Sequence, residues 1–137
     1  MVRVILLTAT MLLGGTVGAL AATTANELLT QCEQLERNWR IQGNDIQFRN
    51  TDFNTAFAAA QCYGYLQAYF DLAYVNLTNK ETGETERPLK ACPPNGISFT
   101  QFVRMFLQYA RDHTAELHYP ASFMLSNLLT QNYRCPP

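Results

Sequence analysis

Apolar and polar positions recur with a helical period over most of this chain. The clearest stretch follows Ser98. Phe99, Phe102, Val103, Phe106, Leu107 and Ala110 fall on one helix face, and Arg104, Gln108 and Arg111 fall on the other. Ser98 and Gln101 stand in the capping-box relation, a hydroxyl at the N-cap and a side-chain acceptor three residues on. The pattern predicts a helix from Ser98 to near His113. Thr24 and Glu27 repeat the device ahead of Leu28, Leu29, Cys32 and Leu35, whose outer side carries Glu33, Glu36 and Arg37; a helix is expected over Ala25 to Trp39. Asp52 can cap another, with a broad stripe of Ala56, Phe57, Ala60, Tyr63, Gly64, Gln67, Phe70, Ala73 and Tyr74. Glycine inside a helix costs about 1 kcal/mol relative to alanine, so Gly64 predicts a contact that wants no side chain. Ala60, Gly64 and Ala68, four apart, make a smooth ridge that a neighbouring helix can approach. The last helix opens at Pro120 and carries Ala121, Met124, Leu125, Leu128 and Leu129; Pro136 and Pro137 stop the chain from continuing it.

Between these runs the chain turns polar. Gly43, Asn44 and Asp45 begin a connection that reaches Asp52, and a longer one joins Asn76 to Asn95. The second holds a charged stretch from Thr78 to Pro88 with a turn glycine, Gly83. A connection this long in a small domain is usually functional or disordered, and a plain solvated loop is the bland alternative. No alternating β-branched runs compete, and no Asn-Gly turn joins two such runs. The expected fold class is all-α, a small four-helix domain.

Composition and the first residues place this domain outside the cytoplasm. Of 137 residues, 47% are hydrophobic and 15% charged, a folded composition for one small domain. A net charge of −1 without a basic block argues against nucleic acid, whose phosphates demand clustered Lys and Arg. A positive start at Arg3, an apolar run from Val4 to Leu13 too short to span a bilayer, and the small-residue site Ala19-Leu20-Ala21 read as a signal peptide over residues 1–21. Residues 22–137 are then the exported domain, with no stable membrane insertion once the signal is removed.

Export changes the meaning of Cys32, Cys62, Cys92 and Cys135. An oxidising compartment and an even count suit two disulfides. The intervals of 30, 30 and 43 residues contain no Cys-x-x-Cys pair, which argues against a structural zinc. Three pairings remain open for four cysteines. Cys92 precedes the third helix and Cys135 follows the fourth, so an antiparallel pair would bring them together. Cys32 and Cys62 would meet in a second helical hairpin. The favoured pairing is therefore Cys32–Cys62 with Cys92–Cys135, each bridge adding about 2–4 kcal/mol.

Catalytic chemistry finds few candidates. His113 and His118 are the only histidines. His113 can be drawn as a dyad with Asp112 or Glu116, but successive helix positions do not face each other, and a solvated charged turn explains the group as well. Ser98 is a cap, and Ser122 and Ser126 lack a Gly-x-Ser-x-Gly elbow. No metal-binding or phosphate-cradling motif occurs. Tyr63, Tyr65, Tyr69, Phe70 and Tyr74 could line a ligand groove, or divide between core and amphipathic surface. The residues thus predict a non-enzymatic domain with no metal and no cofactor.

Three blocks carry a resemblance. The segment Cys62-Tyr63-Gly64-Tyr65, running on to Asp71, resembles the Cys-x-Gly-Tyr block of the Rap/Tai family of type VI secretion immunity proteins. Cys92-Pro93-Pro94 before a Gln-containing amphipathic helix is similar to that family's next block. His113 to Ala121, leading through a Leu-rich helix to Tyr133-Arg134-Cys135, is similar to its last. Ala68 departs from the pattern where a second glycine is common, and Thr114 and Arg134 where proline is usual. The resemblance implies a periplasmic, helical, disulfide-bonded protein, often a homodimer. Such a protein blocks a secreted effector, typically a peptidoglycan amidase, with a protruding loop. On that reading Lys80, Glu81, Glu84, Glu86, Arg87 and Lys90, with the flank Pro93-Pro94-Asn95, are the expected partner-binding residues. A periplasmic acid-stress holding chaperone of the HdeA type is the alternative, and a small hydrolase or lipid carrier a third class.

Overall fold

A computed structural model describes residues 23–42, 45–49 and 52–136. The expected signal peptide lies outside the described residues. Four helices carry the fold: α1 (Ala25–Asn38), α2 (Phe53–Tyr74), α3 (Phe99–Asp112) and α4 (Ala121–Asn132). Both capping boxes form. The Thr24 backbone N–H donates to the Glu27 carboxylate at 2.9 Å while Thr24 Oγ1 accepts from the Glu27 N–H at 3.2 Å; Ser98 and Gln101 exchange the corresponding bonds at 2.8 and 3.2 Å. Further donors of the first turn of α1 are satisfied from a distance. Ala25 and Asn26 donate to the carbonyls of Tyr119 and Leu117, both at 2.9 Å, which docks this helix end onto the turn before α4.

Helix α1 packs against all three others, and α2 also touches α3. Leu28, Cys32 and Leu35 share one core with Leu66, Phe102, Phe106, Met124 and Leu125, all fully or almost fully buried. Each such side chain contributes about 1.5–3 kcal/mol on leaving water. Phe99 closes one end of this core as the hub of an aromatic cluster, edge-on to Trp39, Tyr63 and Phe70 at centroid distances of 6.5, 4.9 and 6.0 Å. Outside the core, Arg111 on α3 reaches Glu33 and Glu36 on α1 at 3.3 and 3.7 Å. These pairs are solvent-exposed and add little to stability. The bridges are Cys32–Cys62 and Cys92–Cys135, the favoured pairing.

Three expectations need correction. The fold is mostly helical rather than strictly all-α. Strands β1 (Trp39–Gln42) and β2 (Asp45–Phe48) form one antiparallel ribbon, and β3 (Leu77–Thr78) and β4 (Thr85–Glu86) another. The β3–β4 ladder is too short to show an alternating pattern in sequence. On α2 the buried face is Ala59, Cys62, Leu66 and Ala73, whereas Ala56, Phe57, Ala60 and Gly64 of the expected stripe are exposed. Asp71 is the one charged residue in this helix, so apolar spacing could not choose a face; the tether to Cys32 rotates Cys62 inward. Among the described residues, a Cβ built at Gly64 would meet nothing within 4 Å, so the close contact expected there is not made.

Candidate partner-binding surface

The expected contact residues lie on a short hairpin that leaves the C-terminal end of α2. Strands β3 and β4 pair Leu77 with Glu86 and Thr78 with Thr85, and the two threonine hydroxyls are 3.3 Å apart. The tip is ordered mainly by Asn79. Its carboxamide oxygen accepts from the N–H groups of Glu81 at 2.8 Å and Thr82 at 3.3 Å, its own N–H donates to Glu84 O at 2.8 Å, and its carbonyl accepts from Gly83 N–H at 2.9 Å. Gly83 sits at φ +73°, a left-handed conformation that favours glycine. The polar stretch expected as a loop is therefore a structured hairpin, built on side-chain bonds of a kind that turn residues supply.

The root of this hairpin is held from three sides. Arg87 donates through Nε to Asn76 Oδ1 at 3.1 Å and through Nη1 to Ala91 O at 3.4 Å, tying the end of α2 to the returning strand. Ala91 and Arg134 form an antiparallel bridge, Cys92 N–H donates to Tyr133 O at 2.7 Å, and the Cys92–Cys135 disulfide fastens the same place. Tyr74 donates to Pro94 O at 3.1 Å, and Pro93 is buried. Tyr133 donates to Met105 Sδ at 3.1 Å; burial, with Tyr74 nearby, pushes its hydroxyl above the ordinary tyrosine value. A cleft of about 430 Å³ separates hairpin from disulfide, lined by Asn76, Glu86, Arg87, Lys90, Cys92 and Cys135.

The six charged residues named from sequence divide by role. Lys80, Glu81, Glu84 and Glu86 are exposed along the hairpin. Lys90 is exposed at its root, with positive φ of 50°. Arg87 is half-buried and spends its guanidinium on the root itself. The surface thus presents lysines and carboxylates side by side on a backbone braced by proline, arginine and disulfide. Such an arrangement has the chemistry of a recognition element: mixed charge for orientation and little conformational freedom to lose on binding. A broader apolar face lies next to it on α2, where Phe53 and Phe57 are 79% and 55% exposed. Phe57 belongs to the apolar stripe expected from the sequence; with Asp71 the helix's one charged residue, apolar spacing leaves open which side meets the core.

His113 and Asp112, drawn as a dyad from the sequence, make local contacts on and just after α3. His113 ends α3 with Nδ1 2.8 Å from the Tyr109 carbonyl and its ring stacked on Tyr109. Burial raises the Tyr109 hydroxyl, and Glu116 adds to the shift. Asp112 accepts from Gln108 at 2.9 and 3.0 Å. All four cysteines are paired. Among the described residues no cluster of three or more His, Cys, Asp or Glu side chains is placed to hold a metal ion, and no helix is long and apolar enough to cross a membrane.

Compared with known proteins, the chain matches the family model described as Rap1a immunity proteins over residues 24–135. No curated protein matches it, and neither does any solved structure.

Proposed function

The chain belongs to the Rap1a immunity protein family, and from that premise we propose that it is a periplasmic protein that binds and inhibits a type VI secretion effector, a peptidoglycan amidase, through the β3–β4 hairpin. Two disulfides suit an oxidising compartment. The observation that carries the hairpin reading is its construction. A tip of exposed Lys80, Glu81 and Glu84 stands on a root clamped by Arg87, by the Cys92–Tyr133 backbone bond and by the Cys92–Cys135 bridge. An inhibitor needs no reactive group; it needs a rigid projection of complementary shape and charge for a cleft. The protein acts as a homodimer in this reading, as members it resembles often do.

The test is periplasmic co-expression with candidate amidases, scored by lysis and by co-purification. Deleting Thr82 to Thr85 leaves the helical circular dichroism signal in place and abolishes protection. Protection that survives the deletion unchanged places the contact elsewhere. Release of peptidoglycan fragments by this protein alone would overturn the inhibitor reading altogether.

A further inference from the structure

Away from the hairpin, α3 and α4 enclose a second concave surface with an amphipathic lining. A groove of about 480 Å³ runs along α3 beside the C-terminal half of α4, within the size range of sites for small organic ligands. One rim is Arg104, Gln108 and Asp112, spaced four apart and so aligned on one side of α3. Met105 and Tyr109, each one position on, line it together with Leu128 and Asn132 of α4. Past Arg104 and Met105 it continues into a smaller groove of about 300 Å³, which Tyr133 also lines.

The rim holds charge that the fold does not use. Arg111, the other arginine of α3, is held by Glu33 and Glu36. Arg104 is exposed and, among the described residues, makes neither an ion pair nor a hydrogen bond. Asp112 accepts from the Gln108 carboxamide through both carboxylate oxygens, which steadies the carboxylate and leaves further lone pairs open. The cation and the anion lie two turns apart, about 12 Å along the axis, and do not pair with each other. The amides add acceptors. The Gln108 nitrogen is spent on Asp112, and the Asn132 nitrogen donates to the Leu128 carbonyl at 2.8 Å. The carbonyl oxygen of each side chain is thereby left to accept from a ligand N–H.

We propose that this groove binds a short peptide with both ends free, its α-carboxylate on Arg104 and its α-ammonium on Asp112. A guanidinium meets a carboxylate through two parallel hydrogen bonds. An extended chain advances about 3.3–3.6 Å per residue, so a separation of about 12 Å selects three or four residues. Backbone N–H groups between the two ends find Gln108 and Asn132 as acceptors. Met105, Tyr109 and Leu128 offer apolar surface to small side chains. A fatty acid or a phosphate ester would satisfy Arg104 and leave Asp112 without a cation. The groove shares no lining residue with the hairpin or its root cleft, and this site does not rest on the function proposed above.

Isothermal titration calorimetry of the purified protein with alanine peptides tests the site. Tri-alanine and tetra-alanine should bind with dissociation constants of about 0.1–1 mM, as the ligand efficiency of so few atoms allows. N-acetylation or C-terminal amidation should each weaken binding by about fivefold. Dialanine, too short to reach both charges, should lose at least as much. Arg104→Gln should bind tetra-alanine and its amide alike while still distinguishing the acetylated peptide, and Asp112→Asn should show the reverse. Both positions are exposed, so both variants should keep the wild-type thermal midpoint. Amide NMR shifts on adding tetra-alanine should cluster along α3 and α4 around the groove. Absence of saturable binding below about 10 mM overturns the proposal. So do blocked peptides that bind as well as free ones, variants that keep the wild-type discrimination, or shifts confined to the hairpin. Deleting Thr82 to Thr85 should leave tetra-alanine affinity unchanged, so failure of the hairpin reading and failure of this site show separately; loss of peptide binding in that deletion would move the site to the hairpin.

Discussion

Cys92 and Tyr133 are joined through their backbones, the amide of the first donating to the carbonyl of the second at 2.7 Å. Two residues further on, Cys135 returns to Cys92 through the disulfide. The same few atoms therefore end α4, begin the approach to α3 and fix the returning end of the β3–β4 hairpin. A surface element is fastened here to the helical core by one covalent bond and a short backbone ladder.

The two bridges should differ in how they open. Cys32 and Cys62 are fully buried, whereas Cys92 and Cys135 are both partly exposed. Graded reduction followed by alkylation and mass spectrometry is expected to label Cys92 and Cys135 first, with helical circular dichroism retained. Cys32 and Cys62 should be labelled only as the fold opens. Paired replacement Cys92→Ala with Cys135→Ala should lower stability by about 2–4 kcal/mol. The Cys32→Ala, Cys62→Ala pair should lower it further, because it also leaves space inside the core. Early labelling of Cys32 would contradict the burial argument.

Gly83 tests whether the hairpin is preformed. At φ +73° an alanine is strained by about 1–2 kcal/mol, whereas asparagine tolerates this region better. Gly83→Ala is expected to weaken effector binding by about tenfold, with a smaller loss for Gly83→Asn and an unchanged thermal midpoint for the core. Equal affinity in all three proteins would mean that the hairpin tip makes no contact in its observed shape.

Acid should remove one helix cap. The Asp52 carboxyl is held below its ordinary value by the Thr55 hydroxyl, which donates to Oδ2 at 2.6 Å, and by the Thr55 backbone N–H, which donates to Oδ1 at 3.1 Å. A carboxyl lowered in the folded state stabilises the fold fully above its unfolded value, about 3.9. That stabilisation is lost as pH falls through the lower folded value. Asp52→Ala should therefore lower the thermal midpoint near pH 7, and the gap to the wild type should narrow as pH is taken below about 4. A gap that stays constant through this range would show that the carboxylate charge is not what caps α2.

The extent to which the chain could be read in advance follows from where its information lies. Thr24 with Glu27, and Ser98 with Gln101, are local signals: each hydroxyl and its acceptor are three residues apart, so both helix starts were legible without any tertiary contact. The buried face of α3 was legible for a related reason, since Arg104, Gln108 and Arg111 exclude their side of the helix from the core. The cysteine pairing followed from helices returning antiparallel. The charged residues of the hairpin were visible as a polar run, but its strands were not. Two residue pairs of ladder leave no periodic trace, and their register depends on Arg87, Asn79 and the distant Tyr133 carbonyl. Helix α2 marks the sharpest division. Its sequence, apolar around nearly its whole circumference, ensured a helix and demanded burial. Which side met the core was settled by the bridge from Cys62 to Cys32, because hydrophobic burial has no direction of its own and a covalent tether does.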